Sequence, residues 1–174
     1  MIVTPTIQIS RCLPWDAAAV QSVIYETWIA TYEPIMGLER AQKIVSQFSA
    51  PVVQWYIWGG WFGSGLSLKA TSDGEIVGFA NAKCEEHGAI ILYMLYVLPS
   101  HQGLGVGTQL LRTIETHWRS AKSIRVETLR DNASAIRWYA ARGFEEYGST
   151  PNASGNIGVA SIYMDKSLAQ SGPS

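Results

Sequence analysis

The run Ala89–Leu98, AIILYMLYVL, is the feature that most constrains the fold, because it carries no charged residue. A strand that is apolar on both faces needs cover on both faces. Pro99 ends the run, since proline cannot donate to a strand ladder. The sequence therefore predicts a central strand in a sheet that has helices packed on both sides.

The rest of the chain alternates between strand and helix patterns, which predicts a single α/β arrangement. Strands are predicted for Thr6–Leu13, for three segments within Leu66–Leu98 that turn at Asp73–Gly74 and His87–Gly88, for Ser123–Leu129, for Phe144–Ser149 and for Val159–Leu168. Helices are predicted for Asp16–Tyr32 with Asp16 as N-cap and Pro34 as terminator, for Leu38–Phe48, for Gly105–Ser120 and for Ser134–Phe144.

One segment has two interpretations. In PVVQWYIWGGWFGSG, Trp55, Trp58 and Trp61 recur at helical spacing. The first interpretation is a short helix whose aromatic side caps the core, as such stripes usually do. The second is one wall of a substrate pocket, where aromatic rings accept a cation or an apolar group.

Composition bounds the class of protein. With 174 residues, 47% apolar and 16% charged, the chain suits one domain over residues 1–168, followed by a disordered tail at 169–174. A net charge of −1 gives no argument for a nucleic-acid or anionic-membrane partner. No signal-peptide pattern or membrane-length apolar window is present, so a cytoplasmic protein is expected.

Cysteine and histidine usage gives no sign of a metal site or a disulfide framework. Cys12 and Cys84 lie far apart in strand-like segments, where free thiols behave as small apolar groups. The three histidines include no close pair, and there is no Cys-x-x-Cys motif. We expect buried free thiols and no bound metal.

A glycine-rich stretch follows the apolar strand. In QGLGVG (102–107) the three glycines alternate with other residues, and a helical pattern begins directly afterwards. Amides at a helix N-terminus have no intrahelical partner, and the helix dipole adds partial positive charge. Because glycine lets the backbone approach an anion closely, the stretch predicts a phosphate or pyrophosphate site.

Two common nucleotide-binding motifs do not fit this stretch. A P-loop requires a lysine after its last glycine, and none follows here. A dinucleotide fingerprint requires Gly-x-Gly-x-x-Gly, and Gly107 is misplaced for it. The glycine spacing therefore argues against a nicotinamide-dependent oxidoreductase. The predicted topology argues against it too, since three antiparallel-looking strands precede the loop.

Two motifs together resemble a known family, the GCN5-related N-acetyltransferases or GNAT superfamily. Gln102, Gly105 and Gly107 match its [Gln/Arg]-x-x-Gly-x-[Gly/Ala] signature between a central strand and a helix. A second signature matches in VETLRDNASAIRWYAARGFEEYG, through Asn132, Ala135, Tyr139, Gly143 and Phe144. The element order extends the resemblance over nearly the whole chain, with the motifs between about residues 90 and 147.

The resemblance implies an α/β GNAT fold with acetyl-CoA as cosubstrate and no metal. Its sheet would be mixed, mostly antiparallel and six- to seven-stranded, flanked by about four helices, with splayed central strands and a bulge near Leu95–Val97. Asn132 would bind the cofactor arm, although Asp131–Asn132 also suits a helix N-cap. The implied cofactor-binding residues are Leu95, Tyr96, Val97, Gln102, Gly103, Leu104, Gly105, Val106, Gly107, Thr108 and Asn132.

The family also implies catalytic roles. Tyr139 would act as general acid toward the leaving thiolate, and a backbone amide of Leu95–Val97 would stabilise the oxyanion. Glu127 is the candidate general base, because an ammonium substrate must lose a proton before it attacks. Glu85 and Glu86 are weaker candidates. Gly103 is an extra glycine where the family admits many residues. Replacing Gly105 with a bulky residue is therefore expected to abolish acetyl-CoA binding, and Gly103→Ala is expected to weaken that binding less.

The predicted function is transfer of an acetyl group to a primary amine of a small molecule, a polyamine or a protein, by direct attack in a ternary complex. A homodimer is compatible with the family, and no nucleic acid or membrane partner is expected. The alternative is a non-catalytic CoA-binding regulatory module of the same fold. Retention of both Asn132 and Tyr139 argues against that alternative.

Overall fold

The computed structural model describes residues 6–153 and 158–168, so the predicted disordered tail at 169–174 lies outside the described residues. Within these ranges one sheet has the strand order β1-β2-β3-β4-β5-β7-β6. Its strands are β1 (Ile7–Arg11), β2 (Gly65–Ser72), β3 (Glu75–Cys84), β4 (Ala89–Val97), β5 (Ser123–Leu129), β6 (Glu145–Thr150) and β7 (Ser161–Ser167). The helices are α1 (Ala17–Met36), α2 (Leu38–Val45), α3 (Ala50–Phe62), α4 (Val106–His117) and α5 (Ala133–Ala140).

The predicted α/β class and the mixed sheet are confirmed. Neighbouring strands pair antiparallel except β4 and β5, which run parallel on either side of the crossover through α4. The sheet has seven strands in the described residues, and five α-helices flank it rather than about four. None of the helices in the described part of the chain is long and apolar enough to cross a membrane.

Two apolar cores cover the two faces of the sheet, as the uncharged central strand requires. On one face the buried residues of α4 and α5, including Leu110 and Tyr139, pack with Ile90 and Leu92 of β4. On the other face the buried residues of α1, α2 and α3 pack around Phe79 and Met94. Side chains of β4 therefore enter both cores.

β4 and β5 separate part-way along their length, which confirms the predicted splay. Their pairing begins at Ala89↔Ser123 and ends at Leu92↔Val126. The register of β4 against β3 also shifts between Leu92 and Met94, which places the bulge at Tyr93 rather than near Leu95–Val97 as predicted. A bulge bends its strand and increases its twist, so β4 turns away from β5 where their pairing stops.

Pro34 does not end the first helix as predicted, because α1 continues to Met36. A proline within a helix removes one backbone donor, which here costs the carbonyl of Ala30 its partner. Ala30 is exposed to solvent. The bond from Gly37 N–H to Glu33 C=O (2.9 Å) closes the last turn beyond the proline. The predicted helix over Leu38–Phe48 is shorter than expected and ends at Val45.

The tryptophan-rich segment forms the helix α3, as predicted, but its tryptophans do not cap the core. The interpretation as a pocket wall stays a prediction, and Trp58 and Trp61 line an apolar cavity of about 460 Å³. The buried face of α3 consists of Val53, Ile57 and Gly60. Trp55, Trp58 and Trp61 lie elsewhere on the helix, with 68%, 46% and 45% of their surfaces exposed. Gly60 packs so close to β2 that a Cβ there would lie 3.0 Å from the Ser67 backbone nitrogen, so no larger side chain fits at position 60.

Asp16 holds the turn between β1 and α1. It occupies the predicted N-cap position, but its side chain makes no cap hydrogen bond to α1. Instead Asp16 Oδ2 accepts from the Leu13 amide and from Lys69 Nζ, both at 2.7 Å. The two charged side chains are 10% and 16% exposed, so this ion pair is largely removed from water. Breaking one side of such a pair leaves the other charge uncompensated.

We expect Asp16→Asn to lower the free energy of unfolding by about 2 kcal/mol, because Lys69 then keeps its charge without a counter-charge. Urea denaturation followed by circular dichroism measures the change. Adding Lys69→Met to the same chain should recover most of the loss. A double variant no more stable than Asp16→Asn alone would contradict this account of the pair.

Candidate active site

A cleft of about 520 Å³ opens where β4 and β5 separate. The glycine-rich loop, α5 and the middle of α1 complete its walls. The predicted site residues that line it are Leu95, Tyr96, Val97, Gln102, Gly103, Gly105, Val106, Gly107, Thr108, Glu127, Asn132 and Tyr139. Leu104 does not line the cleft, and its side chain is 49% exposed.

The glycine loop presents backbone donors at the N-terminus of α4. Its first intrahelical bond runs from Gln109 N–H to Gly105 C=O at 3.0 Å, so the first helical amides have no partner within α4. Gly103 and Gly105 adopt φ of +78° and +82°, a conformation that costs other residues energy. Gln102 Nε2 donates to Val97 C=O at 3.0 Å and so ties the loop to the end of β4.

An arginine that sequence reasoning missed stands beside this loop. Arg142 donates to Thr108 Oγ1 at 2.7 Å and to Trp138 C=O at 2.8 Å. Its guanidinium lies 3.7 Å from the centre of the Trp138 ring. A Cβ on Gly107 would lie 3.2 Å from the same ring, so glycine here permits close packing of α4 on α5. The signal available was a basic residue one turn after Tyr139.

Together the loop and Arg142 fit a bound phosphate group. Unpaired amides and the helix dipole favour an anion, and a guanidinium adds a fixed positive charge. Arg142 Nε is buried without a hydrogen-bond partner in the described residues, so this cation has unused donor capacity. Beyond Leu92 the edge of β4 that faces β5 pairs with no strand of the described residues, which fits an extended chain bearing amide groups.

Asn132 is the N-cap of α5, as its alternative interpretation predicted. Its Oδ1 accepts from the Ala135 amide at 3.1 Å, and its Nδ2 donates to the Tyr32 hydroxyl at 3.3 Å. The side chain is buried at the edge of the cleft. Both ends of its amide therefore have partners within the protein, and one Nδ2 hydrogen remains for a ligand.

Tyr139 lies in the wall of the cleft between Trp138 and Phe144, with both ring centroids 5.1 Å away. Burial, with a smaller contribution from Tyr32, raises the pKa of Tyr139 above its ordinary value of 10.0. The phenol is therefore protonated at neutral pH and is a proton donor. Burial likewise raises the pKa of Tyr96 and, against the hydrogen bond from Asn132, that of Tyr32.

Glu127 is the carboxylate that the described residues bring to the cleft. Val126 packs into the core beneath α4, and Glu127, its neighbour on β5, lines the cleft. Ser161 of β7 donates a short hydrogen bond to Glu127 Oε1. No pattern in the sequence indicated Ser161, because only the pairing of β5 with β7 brings it near. No cluster of metal-ligand side chains occurs in the described ranges.

Comparisons with known proteins agree with this geometry. Residues 64–146 match the family model for the acetyltransferase (GNAT) domain. This segment spans both sequence signatures and most of the cleft. This chain belongs to the GNAT superfamily.

Solved structures of other superfamily members share its fold. The PaiA N-acetyltransferase from Thermoplasma acidophilum in complex with coenzyme A superposes with a TM-score of 0.82 at 22% identity, over 94% of this chain and 99% of that one. A GCN5-related N-acetyltransferase from Rhodopseudomonas palustris gives 0.75 at 27% identity, over 97% and 98%.

A curated relative covers the shared domain only. The mycothiol acetyltransferase of Sanguibacter keddieii is 36% identical over 92 residues, which are 48% of this GNAT chain and 29% of that protein. The chain thus spans less than a third of the length of this curated relative.

We expect Gly103→Ala and Gly105→Ala to destabilise the protein equally, by about 1 kcal/mol each, because both positions have a left-handed backbone. The sequence-based expectation for positions 103 and 105 concerns acetyl-CoA binding, and it stays a separate prediction. Urea denaturation measures both variants. Gly59→Ala is the control: it lies inside α3 with nothing within 4 Å of a new Cβ, and alanine there should stabilise the helix. A Gly103→Ala variant as stable as wild type would contradict the expectation that the left-handed backbone at position 103 requires glycine.

Proposed function

We propose that this protein is an acetyl-CoA-dependent N-acetyltransferase that acylates a primary amine. The observation that carries the proposal is that the glycine loop, Glu127 and Tyr139 all line one cleft. An anion-binding loop, a carboxylate that can accept a proton and a buried phenol that can donate one are groups that acyl transfer to an amine would use.

The residues that would hold the cosubstrate follow from the donors present. The amides of the 103–108 loop and Arg142 would bind the phosphates, and the free edge of β4 at Leu95–Val97 would pair with the amide-bearing arm. Asn132 would contribute its remaining Nδ2 hydrogen. Acetyl-CoA, when bound, supplies the acetyl group as an activated thioester.

Two proton transfers would then fall to the protein's own residues, one from the ammonium substrate and one to the leaving thiolate. A primary ammonium has a pKa near ~10.4 in water, so a base must take its proton before nitrogen attacks. Glu127 would accept that proton directly or through water, while Ser161 holds its carboxylate in place. Tyr139 would donate to the leaving thiolate, and its raised pKa keeps the phenol protonated until charge develops there.

The test combines binding and turnover. A thermal shift with acetyl-CoA, followed by thiol release across small-molecule, polyamine and peptide amines, should give both stabilisation and amine-dependent release. Stabilisation without release for any amine would support a non-catalytic binding module instead. The absence of any shift or binding would overturn the proposal.

We expect Tyr139→Phe to lower kcat about 100-fold while the affinity for acetyl-CoA changes little, because it removes the proton donor and keeps the ring. Steady-state kinetics and calorimetric binding separate the two effects. Tyr25→Phe, on the exposed face of α1, is the matched control and should behave as wild type. Wild-type turnover in Tyr139→Phe would remove the residue from the reaction.

The pH–rate profile of Glu127→Gln tests the base. Glutamine keeps an oxygen that accepts from Ser161, so the fold should be retained. We expect the rate to fall at neutral pH and to recover as the pH rises toward the pKa of the free amine, because the deprotonated amine then needs no protein base. An acidic limb identical to that of wild type would exclude Glu127 as the base.

A further inference from the structure

The direction of one buried hydrogen bond identifies a further functional group. Asn132 joins α5 to α1 through two bonds, from Ala135 N–H to Oδ1 and from Nδ2 to Tyr32 Oη. A backbone amide can only donate, so the atom that faces Ala135 must be the oxygen of the carboxamide. The nitrogen therefore faces Tyr32, and Tyr32 Oη must accept.

Because Tyr32 Oη accepts this bond, its own proton points elsewhere. No described residue accepts a hydrogen bond from Tyr32, although its side chain is only 9% exposed. Tyr32 lines the cleft. A buried hydroxyl donor without a partner carries a desolvation cost that a ligand atom can offset.

The surroundings of Tyr32 place it near the reacting groups. Its ring contacts that of Trp28 of α1 at a tilt of 50°, with centroids 4.3 Å apart, and packs in the core beneath β4. Tyr96 and Tyr139 line the same cleft, and after burial the charge of an ionised Tyr32 also raises the pKa of each. Thr27, five residues earlier on α1, also lines the cleft and has a buried hydroxyl without a described partner. This part of α1 therefore turns unused polar groups toward the cleft.

The geometry points to Tyr32 as a second phenolic hydrogen-bond donor of the reaction centre, whose proton Asn132 keeps free for an acceptor atom of the bound ligand. Asn132 is then a positioning residue for Tyr32, in addition to its role as N-cap. This inference rests on the proposed function, since the ligand is the reacting pair in the cleft. It assigns a role to α1, which the two family motifs do not include.

Substitutions at position 132 test the direction of the bond. Asn132→Asp and Asn132→Ser both keep a side-chain oxygen that caps α5, and both remove the amide donor. Serine has one oxygen, which the cap occupies, whereas the carboxylate has a second oxygen at the position of Nδ2 that can accept the proton of Tyr32. We therefore expect Asn132→Asp to lower kcat about tenfold more than Asn132→Ser, with thermal midpoints close to each other.

Repeating both position-132 substitutions in a Tyr32→Phe background distinguishes the effect of the Tyr32 proton from the effect of the charge that Asn132→Asp adds. Tyr32→Phe alone should lower kcat about tenfold, the effect of one lost hydrogen bond in a dry site. In that background the difference between Asn132→Asp and Asn132→Ser should disappear, because no hydroxyl proton remains to be captured. Calorimetric titration of each variant with acetyl-CoA gives a readout independent of turnover, and shows whether the lost contact is to the acyl donor or to the amine.

The outcomes are distinct. Tyr32→Phe with wild-type kcat, amine KM and acetyl-CoA affinity would overturn the role of Tyr32. A difference between the Asp and Ser variants that persists in the Tyr32→Phe background would assign it to the charge and overturn the role of Asn132. If wild type neither binds acetyl-CoA nor releases thiol, the proposed function fails first, and this inference fails with it.

Discussion

The separation of β4 from β5 is the constraint on which the rest of the site depends. Breaking a parallel pair inside a sheet leaves backbone donors and acceptors without partners, which is costly unless water or a ligand reaches them. The bulge at Tyr93 makes the break possible by turning β4 away just beyond Leu92↔Val126. Each strand keeps its other neighbour, β3 or β7, so the gap is held open by intact pairing on both sides.

The same geometry brings the chemical groups together. The chain leaves β4 through the turn at Pro99, and the glycine loop places the start of α4 at the mouth of the gap. α5 covers the other side, and Arg142 joins it to the first turn of α4 through Thr108. A positive end and a region of buried phenols thus occur in one cleft, where removal from water strengthens every polar contact that a ligand makes.

The relation between sequence and site is clearest at Asn132 and Tyr32. The motif around Asn132 indicated both a helix cap and a ligand contact, and the cap is present. The partner of the amide nitrogen is 100 residues away in the sequence, and no local pattern encodes it. Ser161 against Glu127 is similar, since strand pairing alone brings these two residues into contact. The motif includes Gly105 and leaves out Gly103, yet the two glycines have similar backbone conformations.

The sequence by itself determined the α/β class, the uncharged central strand, the glycine loop before α4 and the two signatures of the superfamily. These are local patterns of periodicity and turn chemistry, which short segments encode. Only the tertiary structure decided which face of α3 is buried, where β4 bulges, and which side chains meet Arg142, Glu127 and Asn132. Those outcomes depend on close packing between elements distant in the chain, such as α3 against β2 at Gly60, and on strand pairing that no single segment specifies.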